Sequence, residues 1–390
     1  MKDTDAEVAS KAAAARRASL VWRRAGVAQR VKALRALWRE LSRHREELGA
    51  VVHEDSGKPL LEFDLMEFAS AGLIVDWMTS AAPRVLGDKA AWRPWIFFNK
   101  RAHERRVPFG VVGIITPGNM PFLIAFGDAF AALLAGNAVL LKPSPQANRT
   151  ALWLEAAVAA TALLPEGLLS VVPGDGETAE RVIDASDLVF FTGSAKTGRG
   201  VAARAASQLK PAILELGGKH SMIVLADASL ERAAAAAVWG ACANAGQICT
   251  SVERIFVEAE VYERFVELLR PRAAALRQRL DGRGADLGRL ALPSALEHVC
   301  AQLDDARQKG ARVIGGEVLD RERLLIAPAL VLEARMDMKV MSEEIFGPVI
   351  PVMKVARAEE AVSLANAGSE GLAASVWTSD LSKGERLASA

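Results

Sequence analysis

Residues 110–144 read "GVVGIITPGNMPFLIAFGDAFAALLAGNAVLLKPS". The first part is a short apolar, β-branched run. Residues 122–135 have helical length, "GN" at 136–137 is a turn, and "AVLL" is a second short apolar run. The span 122–141 has about the length that crosses a bilayer. Asp128, Gly136 and Asn137 interrupt it, and a buried helix, a turn and a buried strand account for it better. Strand, helix, strand with both strands apolar throughout is the repeating unit of a parallel α/β sheet.

The same texture continues outward. "LLSVVPG", a helix at 177–184, "LVFFTGS", a helix from 197 and "AILELGG" complete one series. A second begins at "HSMIVLAD" and runs through a helix at 229–241, "RIFVE", a long helix at 261–280, "ARVIGG" and "IAPALVLE". Upstream, apolar positions recur at helical spacing from Ala6 to about Gly49, "DSGKP" at 55–59 breaks the pattern, and a second helical run at 62–81 ends before Pro83. Bulky and polar residues alternate between Pro94 and Pro108, as in an exposed hairpin. The fold class expected is α/β: two parallel-sheet α/β domains, one Rossmann-like and one catalytic, with a bridging β-hairpin. Residues 1–88 and 107–216 form the first domain, 89–106 the bridging and oligomerisation hairpin, and 217–390 the second.

A chain of 390 residues is long enough for two cores. Its 51% apolar and 24% charged residues are those of a globular protein. With 48 basic against 47 acidic residues, no overall field favours nucleic acid or an anionic membrane, so a small molecule is the expected partner. Asp3, Asp5 and Glu7 argue against a transit peptide, and a cytoplasmic location is expected. Cys242, Cys249 and Cys300 form neither an even disulfide framework nor a metal-ligand spacing, so free thiols and no metal are expected.

Three residues suggest chemistry. Cys249, in "ANAGQICTSVER", is followed by Thr250 and Ser251 rather than by apolar neighbours, which suits a nucleophile, although a lone cysteine also serves as a small buried hydrophobe. Glu215, in "LELGGKH", stands where an apolar strand meets two glycines, at a strand end facing a ligand crevice, or else as a surface or capping carboxylate. Asn119 lies between Pro117 and Pro121, whose fixed φ holds a carboxamide still for a developing oxyanion; a local turn bond is the plain alternative.

Together with "KPSPQ" at 142, "FTGSAKTG" at 191, "LELGGK" at 214 and "EEIFGPV" at 343, these stretches resemble the aldehyde dehydrogenase superfamily, over nearly the whole chain and in the family's order. The resemblance implies that Cys249 attacks an aldehyde carbonyl to give a thiohemiacetal. Asn119 and the Cys249 N–H form the oxyanion hole, and Glu215 activates the water that hydrolyses the ensuing thioester to an acid. It places Lys142 on adenosine-ribose hydroxyls, Gly193, Ser194 and Gly198 along the pyrophosphate at a helix N-terminus, and Glu344 on the nicotinamide ribose beside Phe346. The implied cofactor is NAD or NADP, with a lean to NAD; the implied partner is a small aldehyde, and the implied assembly a homo-oligomer.

Gly118 stands where relatives usually carry an aromatic residue, and Pro145 where many carry a glutamate against the ribose. Relatives also continue for several dozen residues beyond the match, so the catalytic domain is expected to be incomplete at its C-terminal side. Two other readings follow: a non-catalytic nucleotide-binding or assembly protein, and an enzyme that passes the acyl group to coenzyme A, against which Glu215 argues.

Overall fold

The opening stretch folds as a strand, Val111–Ile115 (β1), then a helix, Leu123–Leu134, then a strand, Ala138–Lys142 (β2), and every residue of both strands is buried. The helix presents Phe122, Phe126 and Phe130 at successive turns, their rings 5.1 and 5.5 Å apart, with Trp38 on Phe126 at 5.3 Å. Each buried aromatic of this kind contributes about 2–3 kcal/mol. Leu169–Val171 (β3), Leu188–Gly193 (β4) and Ala212–Leu216 (β5) complete a five-stranded sheet of order β3-β2-β1-β4-β5. From β1 the chain winds outward to β3 and then returns to the other side at β4. The gap between the carboxyl ends of β1 and β4 is therefore a topological switch point, where open α/β sheets bind ligands.

This computed structural model describes residues 2–278 and 284–390. The chain divides into Met1–Asp55 with Phe63–Glu215, and Ser56–Glu62 with Leu216–Ala390. Residues 56–62 thus group with the second unit rather than the first. Gly57 lies so close to Arg289 that a Cβ there would come within 2.4 Å of its Cγ, and Glu62 bonds to Asn244 in the same unit.

In the first unit the N-terminal stretch of helical spacing is three helices, Asp5–Trp22, Val27–Arg43 and Arg45–Ser56. The later helix Ala69–Leu86 continues through Pro83 instead of stopping before it. Pro83 sits in the last turn, where one backbone bond is lost, while the buried face of Ala71, Val75, Thr79 and Ala82 carries the helix past it. The expected hairpin is a ladder of two residues on each side, Lys89–Ala90 against His103–Glu104, and its loop exposes Trp92, Trp95 and Phe98.

The second unit holds His220–Val224 (β6), Val252–Glu258 (β7), Arg312–Gly315 (β8), Ala329–Leu332 (β9), Val349–Val355 (β10) and Ala374–Trp377 (β11), in the order β8-β9-β10-β7-β6-β11. One pair departs from the all-parallel expectation, because β8 runs antiparallel to β9. Residues 316–328 between them carry no helix, and a parallel return needs a crossover, usually helical. The long helix expected over 261–280 is Tyr262–Ala274, and residues 279–280 lie outside those described. The ladder between β6 and β7 slips between His220, opposite Val252, and Ser221, opposite Arg254. Glu253 is the extra residue of this bulge, and bulges redirect side chains.

Candidate active site

In the first unit the site residues gather around the strand ends of one sheet. Thr116 and Pro117 leave β1, and Asn119 follows, buried, just ahead of the helix Leu123–Leu134. Glu67, wholly buried in a π-helical turn at Phe63–Phe68, accepts the N–H of Phe122 at 2.8 Å and of Leu123 at 2.9 Å. A carboxylate at this helix start satisfies donors that have no partner within the helix and suits the positive end of its dipole. It anchors the turn that carries Asn119. A Cβ on Gly118 would come 3.1 Å from Cβ of Gln146, so that side chain already borders the space an aromatic would take.

Lys142 ends β2 and is buried, and desolvation pulls its ammonium below the usual lysine range. At the end of β4, Gly193 leads to Ser194, whose hydroxyl caps the helix Ala195–Ser207 by accepting the Thr197 N–H. Gly198 uses its own N–H within that helix, toward the Ser194 carbonyl. Lys142, Ser194 and Asn119 thus each follow one of three adjacent parallel strands. Glu215 lies near the end of the edge strand β5 and is exposed. Asp128, on the helix after Asn119, feels its charge: burial first, and Glu215 second, push the Asp128 carboxyl up to about 7, and its Oδ2 has no hydrogen-bond partner.

In the second unit, Cys249 is half-buried at the end of an irregular turn. Asn244, Ala245 and Gly246 all have positive φ, at 54°, 53° and 74°. For residues other than glycine this backbone costs about 1–2 kcal/mol each. Within this turn Gly246 admits no side chain, since a Cβ would lie 2.1 Å from the Gly347 carbonyl oxygen. Gln247 locks the turn through Nε2 to the carbonyls of Asn244 and Arg289, both at 3.1 Å, while its Oε1 accepts the Ala291 N–H at 2.7 Å. His220, buried at the start of β6, reaches the nucleophile candidate's own backbone. Its Nε2–H donates to the Cys249 carbonyl, and Nδ1 stands against the Ala373 backbone, 2.9 Å from its nitrogen and 2.8 Å from its oxygen. Burial, with Glu62 adding to it, pushes the Cys242 thiol up to about 12, and burial also raises that of Cys300.

The bulge turns the Glu253 carboxylate onto Lys219 at 2.8 Å, with both side chains buried. It also accepts the N–H of Ile345 at 2.8 Å and of Phe346 at 3.0 Å. That fixes the "EEIFGPV" loop, including Phe346 in a left-handed conformation with φ 52°. Glu344 extends from the same loop. Burial first, and the Glu253 charge next, raise its carboxyl, while Lys219 and the Gly218 N–H oppose them. A Cβ on Gly217 would strike that carboxylate at 2.3 Å.

Sequence reasoning overlooked Glu62, Glu67, Asp128, Lys219, His220 and Glu253. Asp128, a charge inside the apolar run 122–141, and Glu253, a charge just ahead of the apolar run "RIFVE", left a visible sign. Met120, Phe122 and Phe126 are buried, and the two phenylalanines belong to the first unit's core.

A doubly wound sheet with small residues at the end of β4, beside its switch point, defines a protein of the dinucleotide-binding α/β class. A profile of the aldehyde dehydrogenase family matches residues 1–390. The chain is 41% identical over 375 residues to 4,4'-diapolycopene aldehyde oxidase of a Methylomonas species, covering 96% of this chain and 70% of that protein. It is 35% identical to betaine aldehyde dehydrogenase of Cereibacter sphaeroides, covering 98% and 79%. The crystal structure of an NAD-dependent aldehyde dehydrogenase from Sinorhizobium meliloti superposes with a TM-score of 0.93 at 32% identity, covering 100% of this chain and 78% of that one. The chain belongs to the aldehyde dehydrogenase family, whose reaction is the oxidation of aldehydes to carboxylic acids.

Proposed function

We propose that this chain oxidises an apolar aldehyde through Cys249, with NAD or NADP as acceptor. The observation that carries the assignment is the contrast among three thiols. Cys242 and Cys300 sit in helices with their thiols raised by burial, while Cys249 follows a braced, left-handed turn. The Cys249 sulfur adds to the carbonyl carbon, and the oxygen, now an anion, takes hydrogen bonds from the Asn119 carboxamide and the Cys249 N–H. A nicotinamide dinucleotide supplies, when bound, the acceptor for the hydride that the tetrahedral carbon gives up. Glu215 then takes a proton from water as its oxygen attacks the thioester, releasing acid and restoring the thiol.

The residues present fit such a cofactor. Lys142 is a buried cation at the end of β2, Ser194 opens a helix whose first N–H groups suit phosphate, and Glu344 is a half-buried carboxylate, accepting the Gly218 N–H, that suits ribose hydroxyls. Pro145 leaves no carboxylate at its position to repel a 2′-phosphate, and the lean to NAD rests on the similarity to an NAD-dependent relative. The preference for an apolar substrate follows the similarity to the Methylomonas oxidase.

The test is a panel of aliphatic and polyene aldehydes with each dinucleotide, followed by the absorbance of the reduced nicotinamide. Turnover with at least one aldehyde is expected. In Glu215→Gln a stoichiometric burst should survive, with later turnover slowed about 10²–10⁴-fold. Folded protein that reduces neither cofactor with any aldehyde overturns the assignment. For assembly, the loop with Trp92, Trp95 and Phe98, exposed by 86%, 85% and 77%, is the surface proposed to cover a second copy. Sedimentation showing only monomer at micromolar concentration would exclude it.

A further inference from the structure

We propose that Glu62 is a positioning residue for the nucleophile: by accepting the Asn244 N–H it fixes the left-handed turn 244–246, and with it the direction in which Cys249 leaves that turn. The inference rests on the reading of Cys249 as the nucleophile.

The helix Leu230–Cys242 ends one residue before this turn. Had it continued, the Asn244 N–H would have bonded to the Gly240 carbonyl. That carbonyl is instead taken by the Ser251 hydroxyl at 2.9 Å. A buried amide without an acceptor is costly, and the acceptor it finds is Oε1 of Glu62, at 2.6 Å. Gln247 and the carbonyls around it tie the far end of the turn, and His220 ties the carbonyl of Cys249. At the near end the bond to Glu62 holds the first left-handed residue.

Glu62 is otherwise an expensive side chain to place there. It is 4% exposed, and its second oxygen, Oε2, has no hydrogen-bond partner. Burial raises its carboxyl to about 7, with the Asn244 bond and Lys58 opposing that rise and Asp286 adding to it. An acid kept in such surroundings with a single bond, made to the turn before the nucleophile, is explained by that bond. One oxygen acceptor suffices, so the role does not depend on charge.

Glutamine retains such an oxygen, methionine retains only the volume, and aspartate withdraws the acceptor by one methylene. Turnover and the rate at which iodoacetamide labels Cys249, read by mass spectrometry of its peptide, are compared in Glu62→Gln, Glu62→Met and Glu62→Asp of the full chain. In Glu62→Met both rates should fall about tenfold or more, with KM for aldehyde and cofactor unchanged, because a misdirected sulfur loses near-attack geometry but not binding. Glu62→Gln should stay close to the parent. A folded Glu62→Met with parental labelling and turnover overturns the proposal, as does a Glu62→Gln as impaired as Glu62→Met. Should Glu62→Met not fold, Glu62→Asp decides: slowed labelling supports the role, parental labelling refutes it. Failure of the nucleophile reading is seen separately, as turnover that survives Cys249→Ala.

Discussion

Cys249→Ala is expected to lower aldehyde oxidation by about four orders of magnitude or more, with folding and dinucleotide binding intact. The proposed sequence makes its only covalent bond at this sulfur, and without it the hydride must leave from a hydrated aldehyde that nothing holds in place. Neither remaining cysteine can take over. Cys242 is buried with its thiol pushed up to about 12, and Cys300 lies in the helix Pro293–Gln308 with its thiol also raised by burial. The side chain of Cys249 is half-buried and ends a loop, so truncating it removes little packing. Steady-state turnover, the pre-steady burst and a search for an acylated peptide measure three separate consequences. A Cys249→Ala protein that turns over within about tenfold of the parent rules the covalent route out.

The parts of this molecule readable in its sequence are those where local chemistry and final position agree. Residues 110–144 form the expected strand, helix and strand because Gly136 and Asn137 end an apolar run that nothing else would break. The antiparallel β8 was not readable, since a four-residue strand carries no mark of direction. Nor was the helix through Pro83, where a buried face outweighs one lost bond. Glu62 and Glu67 look in sequence like polar positions of an amphipathic helix. A π-helical turn that follows Glu62 and contains Glu67 shifts the period, and both are buried against backbone donors far along the chain, Asn244 for one and Phe122 with Leu123 for the other. His220 was equally silent, because its two partners, the Cys249 carbonyl and the Ala373 amide, become neighbours only through strand pairing. Spacing motifs disclose residues meant for a ligand; the side chains that hold them in place answer to backbone groups, which leave no pattern.

The largest loss of stability is expected from Glu253→Gln, about 3–5 kcal/mol at neutral pH. Lys219 and Glu253 are 2.8 Å apart with side-chain exposures of 2% and 4%, so neither charge has water to fall back on. Glutamine keeps an oxygen for the amides of Ile345 and Phe346 and removes only the charge, which isolates the electrostatic part. In the parent, burial already draws the Lys219 ammonium below the ordinary lysine value, and the Glu253 charge is the main opposing influence. Without it the folded-state pKa falls further. The folded variant then binds fewer protons than the unfolded chain, and its stability rises with pH until the ordinary lysine value, about 10.4, is passed. The deficit of Glu253→Gln against the parent should therefore be largest near pH 7 and shrink by pH 9.5. Urea midpoints at the two values measure it, followed by a signal from the second unit such as its only tyrosine, Tyr262. A deficit that stays constant with pH would mean that the loss comes from packing around Ile345 and Phe346, and that Lys219 is not the group left unpaired.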